Sequence, residues 1–476
     1  MNWLRPRRLA AVSFLAAATL AVAGCTAGAD TGGGGGSSQP APSITDKTPV
    51  TITMWSPWTG RELKQFNEIF KGFNAKYPWI TVDSKGGIPD DKLIAGINSG
   101  KPPDIAISFG VDNIGKYCQT GAWQDLTPWI NGGDGIDLKS VFPPSALTFT
   151  SYNDKQCSLP FLTDAFGIYT NDDQLKAAGI TASPKSLSEL QADAKQLTKF
   201  GPNGEITTAG FVPWFTYYCC AMTGVNMGNM FGAKWYDSNG KSAFASDPQW
   251  AKIFTWQRQF VADVYGNGDA AAGAAKLKKF IAGSGDEWGC SQDFVKGRVA
   301  ITIDGEWRNA YMKDCPVTFA YSTAAWPVPD ATPDRYGSGS AGGTVVGIPK
   351  GAAHADAAWL LLRFMTTDTP TLVYMANNIN NVPTTLDSAK SPDLKLPAQF
   401  MPFLSIYANP MSSWRPNTGI GDTDESVLGK LMDRWDNMSI QDGDLQAELA
   451  KIARKKTRTQ VHLLRSLRRV IALLRK

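Results

Sequence analysis

Sixteen tryptophans and only two histidines set the chemistry open to this 476-residue chain. An indole offers a flat apolar face and a polar N–H edge, which suits stacking on a ligand ring. His354 and His462 alone leave little material for a histidine dyad or a multi-histidine metal site. No G-x-S-x-G elbow and no phosphate-binding P-loop occurs. Gly337-Ser-Gly-Ser-Ala-Gly342 fits G-x-G-x-x-G, but it follows a turn rich in Asp, Pro and Arg and leads into a strand, the wrong setting for a dinucleotide. Paired carboxylates such as Asp90-Asp91 and Asp172-Asp173 diverge from one another and do not make a catalytic pair. The candidate binding residues are therefore aromatic. Trp55 and Trp58 follow a first strand, and Trp307 follows a later one. Trp214 in Phe211-Val-Pro-Trp-Phe215 and Trp414 in Ser412-Ser-Trp-Arg415 lie in turn-rich stretches, and Asp112 comes just past a third strand. Trp235, Trp250, Trp256, Trp359 and Trp435 sit in amphipathic helical patterns and are read as core. No cofactor and no metal is expected.

Alternating strands and helices must position these residues. Val50–Met54 alternates as a strand, and Gly60–Tyr77 places Leu63, Phe66, Phe70 and Phe73 at helical spacing until Pro78 ends the run. Ile80–Asp83 is a second strand, Asp90–Asn98 a helix, and Pro102–Ser108 a buried strand behind a proline break. This βαβαβ order predicts a parallel sheet covered by helices. A second α/β unit begins with the strand Ser158–Asn171 and the helix Pro184–Phe200; the strands Arg298–Ile303 and Thr344–Ile348 each feed a helix.

The formal charge of +4 is unevenly spread. Residues 26–450 hold 34 basic and 43 acidic side chains, so the folded body is acidic and disfavours a nucleic-acid backbone. Residues 1–24 read as a secretory signal peptide, with Arg5, Arg7 and Arg8 ahead of the uncharged run Leu9–Ala23. Val22-Ala23-Gly24-Cys25 resembles a bacterial lipobox, which implies lipidation of Cys25 and attachment to the membrane. Residues 25–49, rich in Gly, Ser and Pro, read as a flexible tether. Six further cysteines in an exported chain suggest three disulfides. Cys118 with Cys157 is the preferred pair; vicinal Cys219 and Cys220 are strained as a pair, so each is expected to meet Cys290 or Cys315.

Several segments together resemble the carbohydrate-binding family of extracytoplasmic solute-binding proteins that serve ABC importers, the family that includes maltose-binding protein. They are Val50–Trp55 with its helix, Lys101-Pro-Pro-Asp-Ile105, Leu159-Pro-Phe161 through Tyr169-Thr-Asn171, Pro184-Lys-Ser-Leu-Ser-Glu189, Gly297-Arg-Val-Ala-Ile301 with Ile303-Asp-Gly-Glu-Trp307, and Gly342-Gly343 through Ile348-Pro349-Lys350 with Ala357-Ala358-Trp359. The resemblance implies an α/β, two-lobe periplasmic-binding-protein fold (type II), each lobe a mostly parallel sheet flanked by helices, with a hinge between them. It places lobe 1 at 50–163 plus 343–383 and lobe 2 at 164–342 plus 384–453. It implies a sugar or oligosaccharide in the cleft, delivery to an ABC permease, a monomer, and no enzymatic role.

A pyranose presents flat C–H faces and a rim of hydroxyls, which the tryptophans and carboxylates of such a cleft would meet. Asp164, at the implied crossing between lobes, and Gly343, where backbone can approach a ligand closely, join the candidates. Each has a plainer alternative: core packing for the indoles, helix capping for the aspartates, a turn for the glycine. A secreted glycoside hydrolase and a non-transport surface lipoprotein are the alternative functions. Residues 454–476 depart from the family; Leu463, Leu467, Val470, Ile471 and Leu474 against Arg465, Arg468, Arg469 and Arg475 make a basic amphipathic tail, either a membrane contact or a functionless extension.

Overall fold

The computed structural model describes residues 44–454 apart from 144, 145, 148, 219, 220 and 420–422. The signal sequence, Cys25, the tether before residue 44, Cys219, Cys220 and the tail from 455 lie outside the described residues. Twelve strands are described: β1 Val50–Trp55, β2 Ile80–Lys85, β3 Ile105–Ser108, β4 Ser151–Tyr152, β5 Lys155–Gln156, β6 Leu159–Asn171, β7 Lys199–Phe200, β8 Ile206–Phe211, β9 Val299–Gly305, β10 Tyr321–Ala324, β11 Ala341–Gly347 and β12 Val382–Pro383. Ten of them form one sheet in the order β2-β1-β3-β11-β6-β9-β8-β7, with β10 and β12 also paired to β6.

The helices follow from local chemistry. In Gly60–Lys76 the apolar spacing buries Phe66, Ile69, Phe70 and Phe73, with Glu62 in the first turn and Lys76 in the last to match the helix dipole. Leu187–Leu197 starts with a reciprocal capping box between Ser186 and Glu189 and buries Leu187, Leu190, Ala194 and Leu197.

Two large apolar cores result. The first gathers residues between Ile52 and Leu162 with Val346–Ile379; the second gathers residues between Phe166 and Ile303 with Trp326 and Leu428–Leu449. Both cores use the same long strand. The first seven residues of β6 pair with β11, and β12 joins it at Leu162 and Thr163; from Phe166 onward its partners are β9 and β10. Asp164 and Ala165 therefore stand where the sheet changes partners. Parallel pairing holds for β2-β1-β3 and for β8-β9, as the βαβ pattern predicts. All pairings of β6 and β11 are antiparallel, because those strands carry the chain between the cores rather than through a helical crossover.

Two disulfides are described. Cys118 pairs with Cys157, Cα atoms 5.6 Å apart. Cys290 pairs with Cys315, Cα atoms 5.0 Å apart, which corrects the expectation that these two receive Cys219 and Cys220. The helix Arg308–Asp314 turns back on the 282–298 loop and brings Cys315 to Cys290. No described helix is long and apolar enough to cross a membrane.

Candidate functional site

A cavity of about 580 Å³ opens between the two cores, and residues from both line it. Six of the eight residues singled out from the sequence reach it: Trp58, Asp112, Asp164, Trp307, Gly343 and Trp414. The other two do not. Trp55 packs instead on a small cluster behind the sheet, against Gly96, where a Cβ would crowd its ring. Trp214 is buried in the second core, because the whole stretch Phe211–Phe215 is inside despite its turn-like composition.

Four indoles line the cavity, and Trp58, Trp307 and Trp414 reach it from different elements. Trp58, in the loop after β1, is wedged against Phe66 and Phe161 at ring-centroid distances of 4.7 and 5.9 Å, with exposed Phe109 beside it at 5.7 Å. Trp307 follows β9 and meets Phe166 edge-on at 5.2 Å. Its ring folds back over the strand end because position 305 is glycine; any Cβ there would collide with the indole. Its N–H is buried without a partner among the described residues. Trp414 lies over Gly342 in the same way and donates its N–H to Asp112 Oδ1 at 2.5 Å.

The polar rim comprises two groups. At the crossing, Asn381 Nδ2 donates to Asp164 Oδ1 at 2.5 Å and to Glu306 Oε1 at 3.1 Å, while Glu306 Oε2 accepts the Ala165 N–H at 2.8 Å. Burial pushes Asp164 up to about 7, with the Glu62 charge adding to the rise and the Asn381 and Glu306 hydrogen bonds opposing it; burial and then the Asp164 charge hold Glu306 well above the carboxylate range. Burial also raises Glu62, which Tyr311 and Arg61 partly counter. Across the cavity, Arg415 pairs with Asp112 at 2.7 Å, and the Gly224 N–H donates to Glu425 Oε1 at 2.7 Å. Burial disfavours the Arg415 charge, yet Asp112 and Glu425 outweigh it and raise the Arg415 pKa; burial pushes Glu425 up to about 7. The backbone N–H groups of Gly224 and Val225, at the start of the helix Gly224–Phe231, partly counter that rise.

The lining therefore combines ring faces with carboxylate, amide and hydroxyl groups, and among the described residues no lysine, arginine or histidine is part of it. Such a surface can stack on a ring and exchange hydrogen bonds with hydroxyls. Among the described residues no group of three His, Cys, Asp or Glu is placed to hold a metal ion. Sequence reasoning missed Glu62, Tyr311, Asn381 and Glu425. Glu62 sits one helical turn beyond Trp58, and Asn381 ends the polar run Asn377–Asn381 just before β12; both were signals within reach.

Two α/β cores sharing one long strand and facing a ring-walled cavity constitute the type II periplasmic-binding fold. The chain belongs to the bacterial extracellular solute-binding protein family, whose model matches residues 57–371. It is 21% identical over 349 residues to the maltotriose-binding protein of Pyrococcus abyssi, covering 72% of this chain and 68% of that one. It is 26% identical over 293 residues to the maltooligosaccharide ABC transporter solute-binding lipoprotein of Streptococcus pneumoniae strain R6, covering 60% of each. Among solved structures, that of CpMnBP1 with mannobiose bound superposes with a TM-score of 0.74 at 23% identity, over 85% of this chain and all of the other.

Proposed function

We propose that this protein is the extracytoplasmic receptor of an ABC importer, capturing a sugar or oligosaccharide between its two halves and delivering it to the membrane permease. The observation that carries this reading is the joint placement of Trp58, Trp307 and Trp414 around one cavity, with Asp164, Glu62 and Asn381 at its rim. The names of the Pyrococcus and Streptococcus relatives point to the same ligand class. The two cores are the lobes, at 50–163 plus 343–383 and 164–342 plus 384–453, moving about the β6 and β11 crossings. Lipid on Cys25, following a cleaved signal peptide and carried by the 25–49 tether, holds the monomeric receptor at the outer face of the membrane; the pneumococcal lipoprotein supports this anchoring.

A thermal-shift screen over mono- and oligosaccharides tests the proposal. A sugar at a hundred times its Kd adds about 2.7 kcal/mol of stability and raises Tm clearly. Prolonged incubation should return the sugar intact. Steady release of hydrolysis products, or no shift with any saccharide, would overturn the receptor reading.

A further inference from the structure

Trp288 lines the same cavity, yet it belongs to neither rim group and comes from the loop between the helix Ala270–Ile281 and β9. It is 39% exposed, unusual for so large an apolar ring. Its flanks are supported: Tyr218 and Tyr311 stand 6.0 and 5.6 Å away between centroids, and the guanidinium of buried Arg308 lies 5.7 Å from the indole. Arg308 is itself fixed by its ion pair with Asp304 at 2.5 Å.

The backbone around Trp288 is tied on both sides. On one side Arg308 donates to the Glu287 carbonyl at 2.9 Å. On the other, Cys290 is bonded to Cys315 at the end of the helix that carries Tyr311. Asp286 closes the turn just ahead of it, its Oδ1 accepting the Trp288 backbone N–H at 3.1 Å. With its backbone tied and rings packed on its flanks, the indole offers an open face and has less freedom to lose on binding than one on an untethered loop.

We infer that Trp288 is an outer stacking platform for the second or a later ring of an oligosaccharide, and that the Cys290–Cys315 bridge is the device that holds it in place. The inference rests on the sugar-receptor reading and deepens it. The indoles of Trp58, Trp307 and Trp414 suffice for an inner ring; a further platform from a separate loop serves only a ligand that extends beyond it. The receptor therefore prefers oligosaccharides to their monomers, and reducing this one disulfide weakens that preference.

Calorimetric titration of the whole protein with glucose, maltose, maltotriose, mannose, mannobiose and mannotriose tests the inference. Trp288→Ala should weaken the best oligosaccharide about ten-fold and change any monosaccharide binding less than about two-fold, and Trp288→Tyr should restore most of the loss. The double variant C290S/C315S should reproduce the Trp288→Ala loss, with faster hydrogen exchange over residues 284–296. Unchanged oligosaccharide affinity in Trp288→Ala overturns the platform. Unchanged exchange and affinity in the double variant overturn the role of the bridge. The titrations include any further sugar that raises Tm in the saccharide screen; if the unaltered protein binds no saccharide at all, the receptor reading fails and this inference falls with it.

Discussion

Asp164 combines two duties that conflict at neutral pH: it faces the cavity as an acceptor, and it is buried beside a second carboxyl. Its pKa rises from 3.8 to about 7 through burial. In the unfolded chain it loses its proton near pH 4, so between roughly pH 4 and 7 the folded state holds a proton that the unfolded state has released. Stability therefore falls as pH rises through that window. Asp164→Asn removes this contribution, and denaturant midpoints at pH 4.5 and 7.5 should differ less in the variant than in the unaltered protein. Glu425, pushed up to about 7, and Asp436, up to about 8, still titrate, so the slope shrinks without vanishing. An equal pH dependence in both proteins would show that Asp164 does not hold the extra proton. Trp307 makes the complementary case at this scale. Its N–H has no partner among the described residues, and on the receptor reading a sugar hydroxyl supplies one; Trp307→Phe should therefore keep the stacking face and still lose about 1 kcal/mol of sugar affinity, measured by titration.

The strand β11 does for the site what no side chain could. At Gly343 the backbone has φ of 155°, and a Cβ would run into the Leu162 carbonyl oxygen of β6; at Gly342 a Cβ would run into the Trp414 ring. Gly343→Ala must shift backbone against backbone and should cost about 2 kcal/mol or more in chemical denaturation. Gly342→Ala meets a side chain that can rotate away, so it should lose sugar affinity more than stability. Equal stability losses in the two variants would refute the distinction. The elements themselves were largely legible from sequence. Apolar spacing located the helices Gly60–Lys76 and Leu187–Leu197 and the strands β1, β3, β6 and β9 within a few residues, because burial on one face leaves a periodic trace. Trp58, Trp307 and Asp112 were legible as cavity residues because strand ends in α/β sheets open toward the crevice. The misplacements have physical causes. Trp55 and Trp58 are three residues apart, and only the three-dimensional bend after β1 decides which one turns toward the cavity. Trp214 sits in proline-interrupted chain that nothing local marks as interior. Glu425 and the Cys290–Cys315 pair depend on segments brought together over long sequence distances, which local pattern does not encode.

For the molecule as a whole, two ion pairs among the described residues bridge the halves. Arg61, on the side of the first core, meets Asp314 on the other at 2.7 Å, and both are substantially exposed. Asp112 meets Arg415 at the same distance, with the arginine side chain only 1% exposed. An exposed pair contributes about 1 kcal/mol at most, whereas removing one partner of a buried pair strands a charge. Arg61→Ala should therefore alter sugar affinity by no more than about three-fold, while Asp112→Ala should weaken it at least ten-fold, since Trp414 loses its acceptor as well. Small-angle scattering with and without sugar should show contraction in the unaltered protein and less of it in Asp112→Ala. Similar effects of the two substitutions would show that the buried pair matters no more to binding than the exposed one. The shared sheet has another consequence, for the order in which the chain acquires its shape. Ser108 of β3 pairs with Val345 of β11, and the first core is completed only by Trp359, Leu372 and Ile379. A chain emerging N-terminus first thus makes the 164–342 part of its second half before its first half can close. Contacts this distant in sequence slow folding, and a chain cut before residue 341 should leave its leading strands without the partner that joins them to β6.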